Sequence, residues 1–118
     1  MKIYLSHKEP LDTAYNHCSN LASLENTSLD GEVTDLVIDS FLSCFSYGEV
    51  LELVKIILKK CRINCQVTII EADCNILFRQ YTRGAIELDY FNTLFFDASK
   101  KCILNTQNIL DLIPQNFT

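Results

Sequence analysis

The clearest pattern along the chain is a switch from extended to helical periodicity and back. Val33-Thr34-Asp35-Leu36-Val37-Ile38-Asp39 reads as a buried strand. From Gly48 to Cys61, residues Val50, Leu53, Val54, Ile57, Leu58 and Cys61 recur at spacings of three and four, which lays one apolar face along an amphipathic helix. Gln66-Val67-Thr68-Ile69-Ile70-Glu71 then returns to a strand pattern. Two strands joined by a helix of that length are expected to lie parallel in one sheet. Ser46-Tyr47-Gly48-Glu49 fits the S-x-x-E capping box, in which the serine hydroxyl and the glutamate carboxylate each satisfy a free backbone amide, so the helix is predicted to start near Tyr47.

Lys2 to Leu5 alternates polar and apolar positions and predicts a first strand, ending in Ser6-His7-Lys8-Glu9-Pro10. Periodicity is weak from Leu11 to Gly31; Asp12 to Leu24 predicts a short helix or an irregular connection, and Asp30-Gly31 a turn into the strand at Val33. Past the Gln66 to Glu71 strand, Asp73 is placed to cap a helix through Arg83, with Ile76, Leu77, Phe78 and Tyr81 inward and Gly84 as its stop. Another helix is expected from Leu88 to Phe96, and a last one from Gln107 to Ile113, closed by Pro114. Between them, Lys101 to Leu104 is an alternative short strand. Tyr90, Phe91, Leu94, Phe95 and Phe96 are wider than one helical stripe, which predicts burial on two sides or contact with another subunit.

With 118 residues, 48% hydrophobic and 21% charged, the chain has the length of one globular α/β domain and the composition to bury a core. A net charge of −5 with scattered basic residues argues against nucleic acid, which needs a concentrated basic face. The one basic cluster, Lys55, Lys59, Lys60 and Arg62, lies where it complements the negative pole of a helix. No apolar stretch approaches the ~20 residues of a membrane span, and Met1-Lys2-Ile3-Tyr4-Leu5 lacks the long apolar core of a signal peptide, so a cytoplasmic location is expected. Most of the six cysteines are then read as buried free thiols. Cys61 and Cys65 straddle a helix end and a strand start, and no metal site is indicated.

At open α/β sheets ligands gather beyond the carboxyl ends of the strands, which here carry Ser6 and His7, Asp39 and Ser40, and Glu71 and Asp73. Small-molecule binding is expected there if anywhere. His7 with Asp39 is the candidate acid–base pair, because imidazole titrates near neutrality and a carboxylate orients it; Asp73 is first a helix cap. The nucleophilic pairs Cys44 with His17 and Cys18 with His7 have no motif to bring them together. The only glycines are Gly31, Gly48 and Gly84, so neither G-x-G-x-x-G nor a P-loop is present.

Taken along its length, the chain resembles a shortened class I S-adenosylmethionine-dependent methyltransferase, of the small phage- and bacterium-associated type. The likeness rests on Met1 to Leu5 as first strand, on Asp30-Gly31-Glu32-Val33-Thr34-Asp35-Leu36-Val37-Ile38-Asp39-Ser40-Phe41-Leu42 as fourth strand and exit, on the helix and strand that follow, and on the tail from Arg83-Gly84 through Asn92 to Phe96 and Thr106 to Ile113. It implies a truncated Rossmann-like, mostly parallel sheet flanked by helices, with S-adenosylmethionine as the cofactor. Where that family turns on glycines against the cofactor, this chain has Ser6-His7-Lys8-Glu9-Pro10, so side chains stand where the ligand approaches backbone. The expectation is therefore a protein that has lost methyl transfer and acts as a binding or assembly component, as a homo-oligomer. The alternative is a small working enzyme whose site is completed between subunits.

Overall fold

The computed structural model describes residues 1–95 and 102–113. Its elements are β1 (Lys2–Leu5), β2 (Asn16–Cys18), α1 (Leu21–Thr27), β3 (Val33–Asp39), α2 (Tyr47–Lys59), β4 (Cys61–Ile70), α3 (Cys74–Thr82), α4 (Leu88–Phe95) and α5 (Thr106–Leu112). The four strands form one sheet in the order β2-β1-β3-β4, and every pair is parallel. The α/β class and the truncated Rossmann-like arrangement expected from the sequence are therefore present. The chain runs from β1 outward to β2, then back past β1 to β3, so the strand order reverses between β1 and β3.

Register decides which side chains share a face. Ile3, Leu36 and Val67 stand side by side, as do Leu5, Ile38 and Ile69, with Cys18 beside Leu5. Against them pack Leu24 of α1, Val50, Leu53, Val54 and Ile57 of α2, and the half-buried Ile109 and Leu112 of α5. Each fully buried aliphatic side chain of this cluster contributes roughly 1.5–3 kcal/mol of transfer free energy. Lys2, Asp35 and Gln66, then Tyr4, Val37 and Thr68, then Asp39 and Ile70, occupy the opposite face. Among the described residues, Tyr4, Val37 and Ile70 join neither apolar cluster, and Ile70 is 47% exposed. The sheet is thus helix-covered on one side and open on the other.

The helix of the central unit starts at Tyr47, as its pattern predicts, but the capping box does not form. The Ser46 hydroxyl donates to the Glu49 carboxylate at 2.5 Å instead of accepting from a backbone amide, so the two side chains satisfy each other. The helix also stops two residues short of Cys61, because Cys61 pairs with Val33 as the first residue of β4. Cys61 and Cys65 therefore lie in one strand rather than astride a helix end. Of the basic cluster, Lys60 donates to the Ser28 carbonyl at 3.2 Å and pairs with Asp30 at 3.3 Å, while Lys55 pairs with Glu52 at 3.4 Å.

The weakly periodic segment divides into β2 and α1, which is capped by the Asn20 carboxamide accepting from the Ser23 amide at 2.7 Å. No helix begins at Asp12. Asp73 does cap α3, and Gly84 follows it with φ +75°, the left-handed conformation that ends a helix at little cost to glycine. On α3, Ile76, Phe78 and Tyr81 are 51%, 44% and 40% exposed, contrary to the inward placement their spacing suggests. The reason is that α3 is three turns at most and finds its apolar neighbours in α4: Phe78 meets Phe91 and Phe95 at ring-centroid distances of 5.1 and 6.0 Å, and Tyr81 meets Phe91 at 5.4 Å. Phe91 and Phe95 are buried in this second cluster and offer no surface for association, while Tyr90 is exposed. Phe96, the Lys101 end of the alternative strand and Pro114 lie outside the described residues; Leu104 makes a single parallel bridge with Asp73.

Candidate functional site

The reversal of strand order brings the ends of β1 and β3 together, the position where open α/β sheets hold ligands. Ser6 is 2% exposed; its hydroxyl accepts from the Lys8 amide at 3.1 Å and its amide donates to the Cys18 carbonyl at 3.1 Å, so it is a turn residue that extends the β1–β2 ladder. His7 is exposed, and its ring lies 5.4 Å from that of Phe41, which is buried immediately after Ser40. Phe41 in turn packs on Phe45 at 5.1 Å. The two strand ends are bridged by this His7–Phe41 contact.

Ser40 has φ +52°, a left-handed conformation uncommon outside glycine, and its amide donates to the Ile70 carbonyl at 2.8 Å. Its hydroxyl donates to Asp39 Oδ1 at 3.1 Å, and the other carboxylate oxygen of Asp39 accepts a short hydrogen bond from the Tyr4 hydroxyl. Among the described residues no hydrogen bond or ion pair joins His7 to Asp39; Tyr4 holds the carboxylate instead. This follows from register. Tyr4 pairs with Val37, so Tyr4 and Asp39 point from the same open face, with the phenol long enough to reach two residues along β3.

The Asp39 hydrogen bond, and next its burial, push the Tyr4 hydroxyl above its ordinary value of 10.0. Because the folded value exceeds the unfolded one, the stabilisation is complete below about pH 10 and is lost as pH rises through the folded value. Tyr4→Phe is expected to cost about 1 kcal/mol at neutral pH and to flatten the alkaline limb of a stability profile measured by urea unfolding. An unchanged alkaline limb would mean that the bond does not stabilise the fold.

One strand further out, Glu71 accepts from the Ser43 hydroxyl at 2.9 Å and from the Ser43 amide at 3.3 Å. Asp73 Oδ1 accepts from the Asn75 and Ile76 amides at 2.9 and 3.2 Å, and Oδ2 from the Thr106 amide at 2.9 Å and its hydroxyl at 2.6 Å. Those bonds, the Thr106 hydroxyl first, hold the Asp73 carboxyl below its ordinary value. Between β4 and α5 these acids border a cavity of about 270 Å³ whose apolar wall includes Val67, Ile69, Ile109 and Leu110. The carboxylates near the cavity were legible as strand-end residues; its wall was not, because α5 reaches it from a distant part of the chain.

The two nucleophilic pairings are not assembled by hydrogen bonds. Cys44 donates to the Ser40 carbonyl at 3.5 Å, and His17 Nε2 is 2.8 Å from the Ser6 carbonyl oxygen. Cys18 is fully buried, and burial pushes its thiol up despite a hydrogen bond with Thr27. Among the described residues no group of three or more His, Cys, Asp or Glu side chains is placed to hold a metal, and no helix is long and apolar enough to cross a membrane. No family model, curated protein or solved structure matches the chain.

Proposed function

We infer that this protein is a methyltransferase-like domain that has given up S-adenosylmethionine-dependent transfer and works as a binding or assembly component. The observation that carries this reading is the state of the crevice between β1 and β3. The superfamily it resembles turns there on glycines that let the cofactor approach backbone; here Ser6 is buried, and His7 and Phe41 meet across the gap. The strand-end acids support the same reading, since Asp39, Glu71 and Asp73 all accept hydrogen bonds that fasten the protein's own segments. Sheets made only of parallel strands are normally covered on both faces, and association, most simply of two copies, would cover the open face of this one.

A second reading, a small-metabolite binder or enzyme, is favoured by the cavity between β4 and α5, which has apolar walls beside two carboxylates. Calorimetric titration with S-adenosylmethionine and S-adenosylhomocysteine separates the readings. The expected result is no saturable binding tighter than about 1 mM. In parallel, sedimentation equilibrium at about 50 μM, well above a micromolar dissociation constant, should give a mass above the monomer, and Ile70→Lys on the open face should return it toward the monomer. A parent that sediments as a monomer at that concentration removes the self-assembly part of the reading; micromolar cofactor binding removes the rest.

A further inference from the structure

The start of β4 contains an irregularity that neither the fold nor the strand-end site requires. Cys61 is in register with Val33 and Gln66 with Asp35, so five steps along β4 are matched by only two along β3. Two steps along a strand advance about 7 Å, and Cys61 and Gln66 are held within about that distance. The surplus residues 62–64 leave the ladder. Ile63 at their centre is 88% exposed, and Asn64 takes φ +67° to turn the chain back. Cys65, one residue short of Gln66, is thereby turned back toward Cys61, the kind of close approach a disulfide needs, since it spans Cα separations of about 4.4–6.8 Å.

The side chains agree with this placement. Both are half-buried against the main apolar cluster, and each thiol lies near enough to the other to shift its titration. Each also donates a long hydrogen bond to a backbone carbonyl close by in sequence, that of Ile57 at 3.9 Å for Cys61 and that of Gln66 at 3.7 Å for Cys65. Bulges of this kind bend a strand and re-aim side chains, and they recur where a local structure has work to do.

We propose that Cys61 and Cys65 are a redox pair, converted by a low-molecular-weight disulfide such as glutathione disulfide into an intrachain disulfide that closes the β4 bulge, and reopened by a dithiol. In the first step the Cys65 thiolate attacks one sulfur of glutathione disulfide, forming a mixed disulfide and releasing one glutathione thiolate. The Cys61 thiolate then attacks the Cys65 sulfur and expels the second. Two protein thiols are oxidised and one disulfide is reduced to two thiols, with the protons passing through solvent. Burial and the neighbouring thiol push Cys61 up to about 12, and burial raises Cys65 as well, with Asp35 and the amino terminus the nearby charges of opposite sign. Thiolate is thus a minor species at neutral pH, and the exchange is slow there and accelerates with pH.

The test is exposure of the intact protein to glutathione disulfide between pH 7 and 8.5, with circular dichroism to follow the fold, then alkylation and tryptic mapping. Cleavage after Arg62 leaves Cys61 and Cys65 on separate peptides, so the bond appears as a linked pair, and fragmentation distinguishes Cys65 from Cys74 on the longer peptide. The expected result is that linked pair, formed at a rate rising about tenfold per pH unit, lost in Cys61→Ser and in Cys65→Ser, and reversed by dithiothreitol. The proposal is overturned if the folded protein retains both thiols alkylable after a day at the highest pH. A glutathione left on Cys65 without closure, or a bond formed only among the other cysteines, overturns it equally.

Discussion

Replacing Leu36 by alanine is expected to lower the free energy of unfolding by about 3 kcal/mol, within the range of 2–5 measured for buried leucines in well-packed cores. Leu36 is 1% exposed in one of the two inner strands, with Ile3 and Val67 beside it in register and the apolar residues of α2 in the same cluster. Helices hold it on the covered face, so the vacated volume has little freedom to collapse. A domain of this size has about 5–15 kcal/mol in total, and the loss should appear as a large fall in the urea midpoint at unchanged slope. Val37→Ala, one residue along on the open face and half-buried, is expected to cost less than half as much. Equal losses at the two positions would mean that the open face is covered in solution.

Asp73→Ala is expected to destabilise by about 1.5–2 kcal/mol, because one side chain ends two structures. Its Oδ1 caps α3, an interaction worth about 1 kcal/mol, and its Oδ2 receives both the amide and the hydroxyl of Thr106 at the start of α5. The second link is partly exposed, so water replaces it in the variant and the added loss is smaller than that of a buried charge. Asp73→Asn separates the two. The amide oxygen still caps α3, while its NH₂ group faces the Thr106 donors, so hydrogen exchange should quicken in residues 106–112 more than in 74–82.

The same carboxylate makes a pH prediction. It titrates lower folded than unfolded, so its contribution is present above the ordinary value of 3.8 and is lost as pH falls through the folded one. Between about pH 7 and 5 the wild type and Asp73→Ala should differ by a constant amount. Below about pH 4 the difference should shrink. A gap that persists to the lowest pH at which the protein folds would show that the carboxylate charge is not what stabilises.

Local sequence determined the elements whose own residues supply the driving force. β3 and α2 carry enough apolar residues at the right period to bury a face wherever they are put, and the Asp73 cap and the Gly84 stop act within one turn of chain, so these were legible together with the parallel α/β class. Sequence also placed Ser6, His7, Asp39, Ser40, Glu71 and Asp73 at the carboxyl ends of strands. β2 was not legible, because Asn16-His17-Cys18 has no strand pattern of its own and becomes a strand through its pairing with β1. Register was not legible either: it chose Tyr4 over His7 as the partner of Asp39, brought Thr106 to Asp73 across 33 positions, and turned Cys65 back toward Cys61. Periodicity records which face of an element is apolar; which residues of two elements meet is fixed by the hydrogen-bonded alignment of distant segments, a free energy that only the assembled sheet contains.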